Sequence, residues 1–225
     1  MSDTSFIKKG NSISYSTIAI LLAFVFWWGF FIHYRSWQEK YIKYDVVSYY
    51  AYLPAQFIHH DITLEFTKDD PERYLNQFWP EKTDSGKLVI KTTMGLCYLY
   101  APFFFVANKV APALGYPADG FSQPYQTGLM FSALFFLIIG MIYLRKFLLL
   151  YFDDLTTAIT MVCLYFSSNW MWYTTGQPLM SHGYLFSLTA ILLYVIVKWY
   201  HEATYGRSLM IGLIYGLIIL IRPTM

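Results

Sequence analysis

Charged residues are scarce in this 225-residue chain: Asp, Glu, Lys and Arg make up 13%, whereas hydrophobic residues make up 56%. A soluble domain of this length cannot bury so much apolar surface, which excludes an ordinary water-soluble fold. The formal net charge is only +2, and no basic stripe stands clear of the apolar segments, which excludes a nucleic-acid partner. The composition therefore predicts an integral membrane protein in contact with the lipid bilayer.

Cysteine is also scarce, since Cys97 and Cys163 are the two in the sequence and both lie in apolar segments. This excludes a disulfide framework and argues against a zinc site, so we expect both to be small core residues. No small-residue cleavage pattern follows the first apolar run, Ile18 to Ile32. We therefore interpret that run as a retained anchor and not as a cleaved signal peptide.

Long apolar runs identify the candidate membrane spans, because a bilayer core of about 30 Å needs about 20 apolar residues in a helix. Five candidates are strong: Ser14 to His33, Thr127 to Leu148, Leu155 to Trp172, Tyr184 to Trp199 and Leu209 to Ile221. A sixth candidate, Gly95 to Pro112, is weaker because it carries Pro102, Asn108 and Lys109.

The placement of basic residues decides whether the weak segment spans, because short cytoplasmic loops collect Lys and Arg. If Gly95 to Pro112 does not span, the loop Tyr173 to Gly183 is exported and has no Lys or Arg. The basic residues that then fall on the cytoplasmic side are Lys8, Lys9, Arg145, Lys146, Lys198 and Arg207. We therefore predict a helix in the outer interface whose aromatic side chains face lipid or protein, namely Tyr98, Tyr100, Phe103, Phe104 and Phe105.

The predicted fold is an all-α polytopic membrane bundle with three parts. Residues 1–33 form a cytoplasmic N-terminus and the first span, residues 34–126 an exported loop with interfacial helices, and residues 127–225 four further spans. Within the loop, Tyr44 to His60 is predicted as a helix kinked or split at Pro54, and Lys68 to Lys87 as polar loop. Because IRPTM directly follows the fifth span, we expect the N-terminal portion of a longer protein.

One helical face of the exported loop carries the first candidate site. Asp45, Tyr49, Tyr52 and Gln56 follow each other at spacings of four, three and four residues, which places them on the same side of a helix. Such a polar stripe forms either a substrate-facing wall with Asp45 as general base or an interfacial helix whose polar side meets water. The spacing alone does not separate these two interpretations.

Three cationic or titratable residues are further candidates. Lys91 suits a lipid phosphate or anchors its helix by snorkelling, and His182 is either a structural histidine or a substrate ligand. Arg222 follows the fifth span, where a guanidinium can bind phosphate through two hydrogen bonds. The carboxylates Asp61, Glu65, Asp69 and Asp70 show no metal-loop pattern and are interpreted as solvated charge.

In the order of its motifs, the chain resembles the multispanning glycosyltransferases of the GT-C fold, in particular the RgtA/B/C/D-like and family 39 type. The likeness extends through most of the chain, and no single motif is a sharp signature. The motifs are YDVVSYYAYLPA, KTTMGLCYLYAPFFFVAN, ADGFSQPYQ, SSNWMWYTTGQPLMSHGYLF and GLIYGLIILIRPT.

The resemblance implies an inverting transfer of a sugar from a polyprenyl-phosphate carrier to a glycan, lipid or protein acceptor on the outer face of the bacterial cytoplasmic membrane. Asp45 matches the family's catalytic aspartate and would deprotonate the acceptor hydroxyl. Lys91 and Arg222 would stabilise the leaving phosphate, and Tyr49, Tyr52, Gln56 and His182 would bind substrate. Many relatives have an acidic pair here, whereas Val46 follows Asp45, so a divalent metal cofactor is not expected.

Two other functions are compatible with several spans and a large exported loop. One is a lipid-linked glycan polymerase, ligase or flippase, in which the large loop generally comes late in the chain. The other is a transporter or a non-catalytic membrane subunit, which usually shows broken spans and an acidic residue at mid-membrane. The early aspartate and the absence of Asp and Glu from the span interiors favour the transferase.

Overall fold

The computed structural model describes residues 13–223, and Lys8 and Lys9 of the topology argument lie outside this range. The described chain is mainly helical, with 71% helix and 2% strand. Three of its helices are long and apolar enough to cross a membrane: α1 (Tyr15–His33), α6 (Gln123–Leu148) and α9 (Ser181–His201). Two shorter apolar helices, α7 (Asp154–Phe166) and α10 (Tyr205–Ile221), complete the bundle.

The remaining elements lie between α1 and α6 or between α7 and α9. They are α2 (Asp45–Tyr50), α3 (Tyr52–Phe57), α4 (Pro71–Phe78), β1 (Glu81–Lys82), β2 (Leu88–Val89), α5 (Gly95–Val110) and α8 (Asn169–Thr175). Short 3₁₀ helices occur at Ser36–Gln38, Glu65–Lys68 and Pro112–Leu114. The two strands form an antiparallel hairpin in which Glu81 pairs with Val89.

Side-chain contacts fix the helix directions. Tyr184 bonds Ser132, and the Ser187 hydroxyl donates to the carbonyl of Phe136, so α6 and α9 run the same way. The Asp154 carboxylate at the start of α7 accepts from the amide of Tyr15 at the start of α1, so these two helices begin at the same end of the bundle. We call the end that holds the first residues of α6 and α9 the site end, and the other the opposite end.

The opposite end gathers the basic residues that surround the spans. Arg145 donates to the hydroxyl of Ser16, and the ammonium of Lys146 lies 4.7 Å from the ring centre of Tyr143. Lys198 faces Tyr194, and Arg207 forms an ion pair of 3.0 Å with Glu202. Four of the six basic residues that the sequence placed on one side of the membrane lie within residues 13–223, and all four occupy one end of the structure.

Helix α5 packs on α6 and contacts the site end of the bundle through both of its ends. Its first residue, Gly95, lies against the backbone of Leu220 and Ile221 at the end of α10. Near its other end, Asn108 accepts a hydrogen bond from Tyr125 in the first turn of α6. Both ends of α5 therefore contact the same end of the bundle.

One predicted span ends earlier than expected, and one predicted helix split occurs close to its expected place. The third span was predicted as Leu155 to Trp172, but α7 ends at Phe166 because Ser168 begins a new helix and its side chain accepts from the amide of Trp170. The helix from Tyr44 to His60 splits at Ala51, three residues before Pro54. Proline has no amide hydrogen to donate to the carbonyl of Tyr50, so the helix is interrupted on the N-terminal side of Pro54.

The segment from Lys68 to Lys87 was predicted as loop but contains α4 and most of the hairpin. Asp70 caps α4 by accepting from the amide of Arg73, and Pro71 occupies the first helical position. Asp61 accepts from the amides of Thr63 and Phe66, and Glu65 pairs with Lys68. Three of the four carboxylates that were interpreted as solvated charge therefore have structural partners, namely Asp61, Glu65 and Asp70.

Candidate functional site

Asp45 is exposed at the first position of α2, at the site end of the bundle. It lines a pocket of about 160 Å³ together with residues of the loop between α8 and α9. That loop is held by the Tyr100 hydroxyl, which donates to the carbonyl of Leu179. We call this the aspartate pocket; its lining is Tyr41, Lys43, Tyr44, Asp45, Val46 and residues 176–180.

A larger cleft of about 560 Å³ adjoins the aspartate pocket, and Lys43 and Tyr44 line both. One wall is the linker between α1 and α2, and the other is α4 with the residue after it. We call it the basic cleft, because two lysines line it and no acidic residue does. Its lining is Lys40, Ile42, Lys43, Tyr44, Val47, Asn76, Gln77, Trp79, Phe121 and Gln126.

The linker that carries Asp45 is fixed by one buried amide side chain. The Oε1 atom of Gln126, a residue 3% exposed, accepts from the amides of Tyr41 at 2.8 Å and Ile42 at 2.9 Å. Burial raises the pKa of the Tyr41 phenol, whose hydroxyl donates to Ser36. The linker therefore presents Lys40, Lys43 and Asp45 from a backbone anchored to α6.

Tyr44, directly before Asp45, has an unusual backbone conformation with φ 54° and ψ −133°. This region is rarely adopted by a residue with a side chain, and such residues concentrate at functional sites. The Tyr44 side chain is 71% exposed, so little packing energy holds it there. The backbone turns sharply at Tyr44 and starts α2 with Asp45 at the mouth of the pocket.

The predicted polar stripe does not form an open wall. Tyr49 is buried, and the thiol of Cys97 on α5 donates to its carbonyl at 2.7 Å. The hydroxyl of Tyr52 donates to the carbonyl of Thr92, and burial raises the pKa of this phenol. Gln56 is exposed. Since Tyr49, Tyr52 and Gln56 line neither the aspartate pocket nor the basic cleft, Asp45 is the member of the stripe that meets these cavities.

Two of the three remaining candidates lie at the site end. The ring of His182, in the first turn of α9, stacks on Tyr173 with ring centres 4.1 Å apart. Arg222 follows α10, whose last residue accepts a hydrogen bond of 3.3 Å from Thr93. Lys91 instead forms an ion pair of 3.2 Å with Glu81 of the hairpin, and both side chains are more than half exposed.

An apolar groove of about 320 Å³ lies between α5 and α6, and it shares no lining residue with the basic cleft. Its wall includes Val106, Val110, Leu114 and Phe131, and Trp37 of the linker closes one side. Gln123 borders this groove and donates to the carbonyl of Trp37. A polar cleft and an apolar groove thus both border the linker.

The sequence interpretation missed the basic cleft, although part of the signal was present. Lys40 and Lys43 precede Asp45 at a spacing of three in KYIKYD. The opposite wall could not be identified, because Asn76, Gln77 and Trp79 lie in the segment predicted as loop. Among residues 13–223, no three His, Cys, Asp or Glu side chains form a group that could hold a metal ion. Comparisons with family models, with curated proteins and with solved structures found no match to this chain.

Proposed function

We propose that this chain is a membrane glycosyltransferase of the GT-C type that moves a sugar from a polyprenyl-phosphate carrier to an acceptor hydroxyl. The observation that carries the proposal is the position of Asp45. Its carboxylate is exposed at the mouth of a pocket that shares Lys43 and Tyr44 with a basic cleft. A base beside a polar cavity suits a reaction in which an acceptor hydroxyl loses its proton.

The proposed reaction gives one role to Asp45 and one to Arg222. Asp45 accepts the proton of the acceptor hydroxyl, and the hydroxyl oxygen forms a bond to the anomeric carbon. The bond from that carbon to the carrier's phosphate oxygen breaks with inversion, and the electron pair leaves with the phosphate. Arg222 is the better of the two predicted phosphate partners, since it has no acidic partner within 4.0 Å among the described residues, whereas Lys91 is paired with Glu81.

The apolar groove supports a lipid-linked donor. It opens between α5 and α6 close to the linker, and its lining is mostly aliphatic and aromatic. Helix α5 is then an interfacial helix, because both of its ends contact the site end of the bundle. An isoprenoid chain in this groove would be held in the outer interface, beside the polar cavities.

We propose further that the site end faces the outside of the cytoplasmic membrane. Arg145, Lys146, Lys198 and Arg207 all lie at the opposite end, which by the positive-inside rule is cytoplasmic. Cys97 is buried as expected, but Cys163 on α7 is exposed, so its prediction as a core residue is wrong. Single cysteines in a Cys163→Ser background therefore test the orientation. An impermeant thiol reagent applied to intact cells should modify Gln177→Cys and leave His201→Cys unmodified; the reverse pattern would refute the orientation.

The transferase itself is tested by Asp45→Asn, which keeps the size of the side chain and removes its basicity. Transfer from a radiolabelled polyprenyl-phosphate sugar should fall by about 10² to 10⁴, the usual contribution of a general base. Glu39→Gln is the matched control, because it is a nearby exposed carboxylate that lines neither cavity. Transfer by Asp45→Asn within a few-fold of the unmodified chain would show that Asp45 is not the base.

A further inference from the structure

The basic cleft has the chemistry of a site for a charged sugar. We infer that it binds the anionic group of the acceptor saccharide, a sugar carboxylate or sugar phosphate. The identification of the ligand as the acceptor rests on the proposed function. The identification of the ligand as an anionic sugar rests on the residues of the cleft. The residues that carry it are Lys40 and Lys43 on one wall and Asn76, Gln77 and Trp79 on the other.

The charge of the cleft is uncompensated. The ion pairs among residues 13–223 join Lys68 to Glu65, Lys91 to Glu81 and Arg207 to Glu202, and none involves Lys40 or Lys43. The nearest carboxylates in sequence are Glu39, beside Lys40, and Asp45, two residues after Lys43. Neither lines the cleft, and neither makes an ion pair with these lysines within 4.0 Å. Two ammonium groups facing one cavity without an acid favour an anion inside it.

The opposite wall suits a sugar ring better than a bare ion. Trp79 is 48% exposed and follows α4 in a left-handed backbone conformation with φ 46°. The indole has an apolar face, on which a sugar ring can lie, and an N–H group at its edge that can donate a hydrogen bond. Asn76 uses its amide nitrogen on the carbonyl of Glu72, which leaves its side-chain oxygen as an acceptor, and Gln77 lies beside it.

The two walls meet on a packed base. Phe78, which is fully buried, contacts Phe121 with ring centres 5.2 Å apart, and Phe121 lines the cleft. Gln126 anchors the linker wall through its hydrogen bonds to Tyr41 and Ile42. A ligand would therefore enter a cavity that is already formed, which lowers the ordering cost of binding.

The position of the cleft favours the acceptor over the lipid donor. α4 packs on α2, and α2 packs on α5, so the wall that carries Trp79 is one layer farther from the spans than α5 is. The apolar groove lies at α5 and α6 themselves. A polyprenyl chain in the groove and an anionic saccharide in the cleft would therefore occupy separate sites.

Binding is measured on the full chain in lipid nanodiscs, without any transfer reaction. The probes are glucuronate, glucose 6-phosphate and neutral glucose. We expect the two anionic sugars to bind at least tenfold more tightly than glucose, with a preference that weakens as salt is raised. Lys40→Gln with Lys43→Gln should abolish the preference, whereas the double arginine variant should keep it. Lys82→Gln with Lys87→Gln, which removes two exposed hairpin lysines, is the matched control and should change nothing.

Each remaining result has a defined meaning. Trp79→Leu should weaken the binding of glucose 6-phosphate and leave the binding of inorganic phosphate unaffected. Unchanged binding of glucose 6-phosphate by this variant would overturn the sugar assignment. A charge preference that survives in the double glutamine variant would overturn the cleft as the anion site. Displacement of glucuronate by a short polyprenyl phosphate would assign the cleft to the donor and overturn the acceptor assignment. Failure of sugar transfer, with the charge preference intact, would refute the transferase and leave the saccharide site standing.

Discussion

The side-chain oxygen of Gln126 and the backbone amide of Ile42 are joined by a hydrogen bond of 2.9 Å that links the first turn of α6 to the linker before Asp45. The same oxygen accepts from Tyr41, and the Gln126 amide nitrogen donates to the carbonyl of Phe121. One buried side chain thus determines where the linker lies. The positions of Lys40, Lys43 and Asp45 depend on it.

Gln126→Met should destabilise the fold and displace the linker. The substitution keeps the volume but leaves the amides of Tyr41 and Ile42 without an acceptor, at a cost of about 2 to 4 kcal/mol for two largely buried groups. Thermal unfolding in detergent measures the change. Gln123→Met is the control on the same helix, since its amide is exposed, and should cost less than about 1 kcal/mol. Equal losses in the two variants would mean that the linker is held by other contacts.

Tyr44→Gly should be more stable than Tyr44→Ala, the opposite of the usual order. At φ 54° and ψ −133° an alanine keeps the backbone strain, whereas glycine relieves about 1 kcal/mol or more of it. The control pair is Tyr98→Gly and Tyr98→Ala, at an exposed position inside α5, where glycine should be less stable by about 1 kcal/mol. If both positions favour alanine, the conformation of Tyr44 is not strained.

Gly95→Ala should separate α5 from α10. An added Cβ would lie 2.6 Å from the backbone of Leu220 and Ile221, which cannot move aside as a flexible side chain could. We expect a loss of about 2 kcal/mol or more, as for overpacking in a close helix contact. Gly212→Ala is the matched control in α10, because its Cβ would meet nothing within 4 Å, and it should be neutral or slightly stabilising. The unfolding midpoints of the two variants measure this difference in stability.

His59 should make stability depend on pH. Its ring stacks on Phe66 with centres 3.9 Å apart, and burial, with the charge of Arg73 second, lowers its pKa. Since protonation is harder in the folded state, stability is constant above the unfolded pKa of about 6.5 and falls as the pH drops below it, towards the lower folded pKa. His59→Phe should flatten this part of the unfolding curve between pH 7 and 5. His201→Gln, at an exposed position, should leave the slope unchanged.

The sequence predicts those parts of the fold that depend on composition over long windows. The long apolar runs locate α1, α6 and α9 within a few residues at each end, because an uninterrupted run of about 20 residues has no alternative in lipid. Prediction from the sequence fails where one or two residues determine the start or end of a helix. Ser168 ends the third predicted span by capping α8, and Asp70 with Pro71 starts a helix in a segment that hydropathy interprets as loop.

The candidate site shows the same division between local and tertiary information. The start of a helix at Asp45 and its exposure follow from local pattern. The burial of Tyr49 comes from α5, which is far along the chain, and the pairing of Lys91 with Glu81 comes from a hairpin that the pattern did not indicate. The basic cleft needs both α4 and the linker, so no single stretch of sequence reveals it.

Helix α7 has 13 residues and is about 20 Å long, whereas its neighbour α1 has 19 residues and is about 28 Å long. The chain then turns aside into α8, which Trp27 of α1 holds by donating to the carbonyl of Thr174 at 2.8 Å. In the proposed orientation this flank of the bundle is shorter than a hydrocarbon core of about 30 Å, so lipid beside α7 must thin to cover it. Acyl-chain length thereby becomes a determinant of how well the protein fits its bilayer, and membranes made of shorter lipids should accommodate it at the lowest cost.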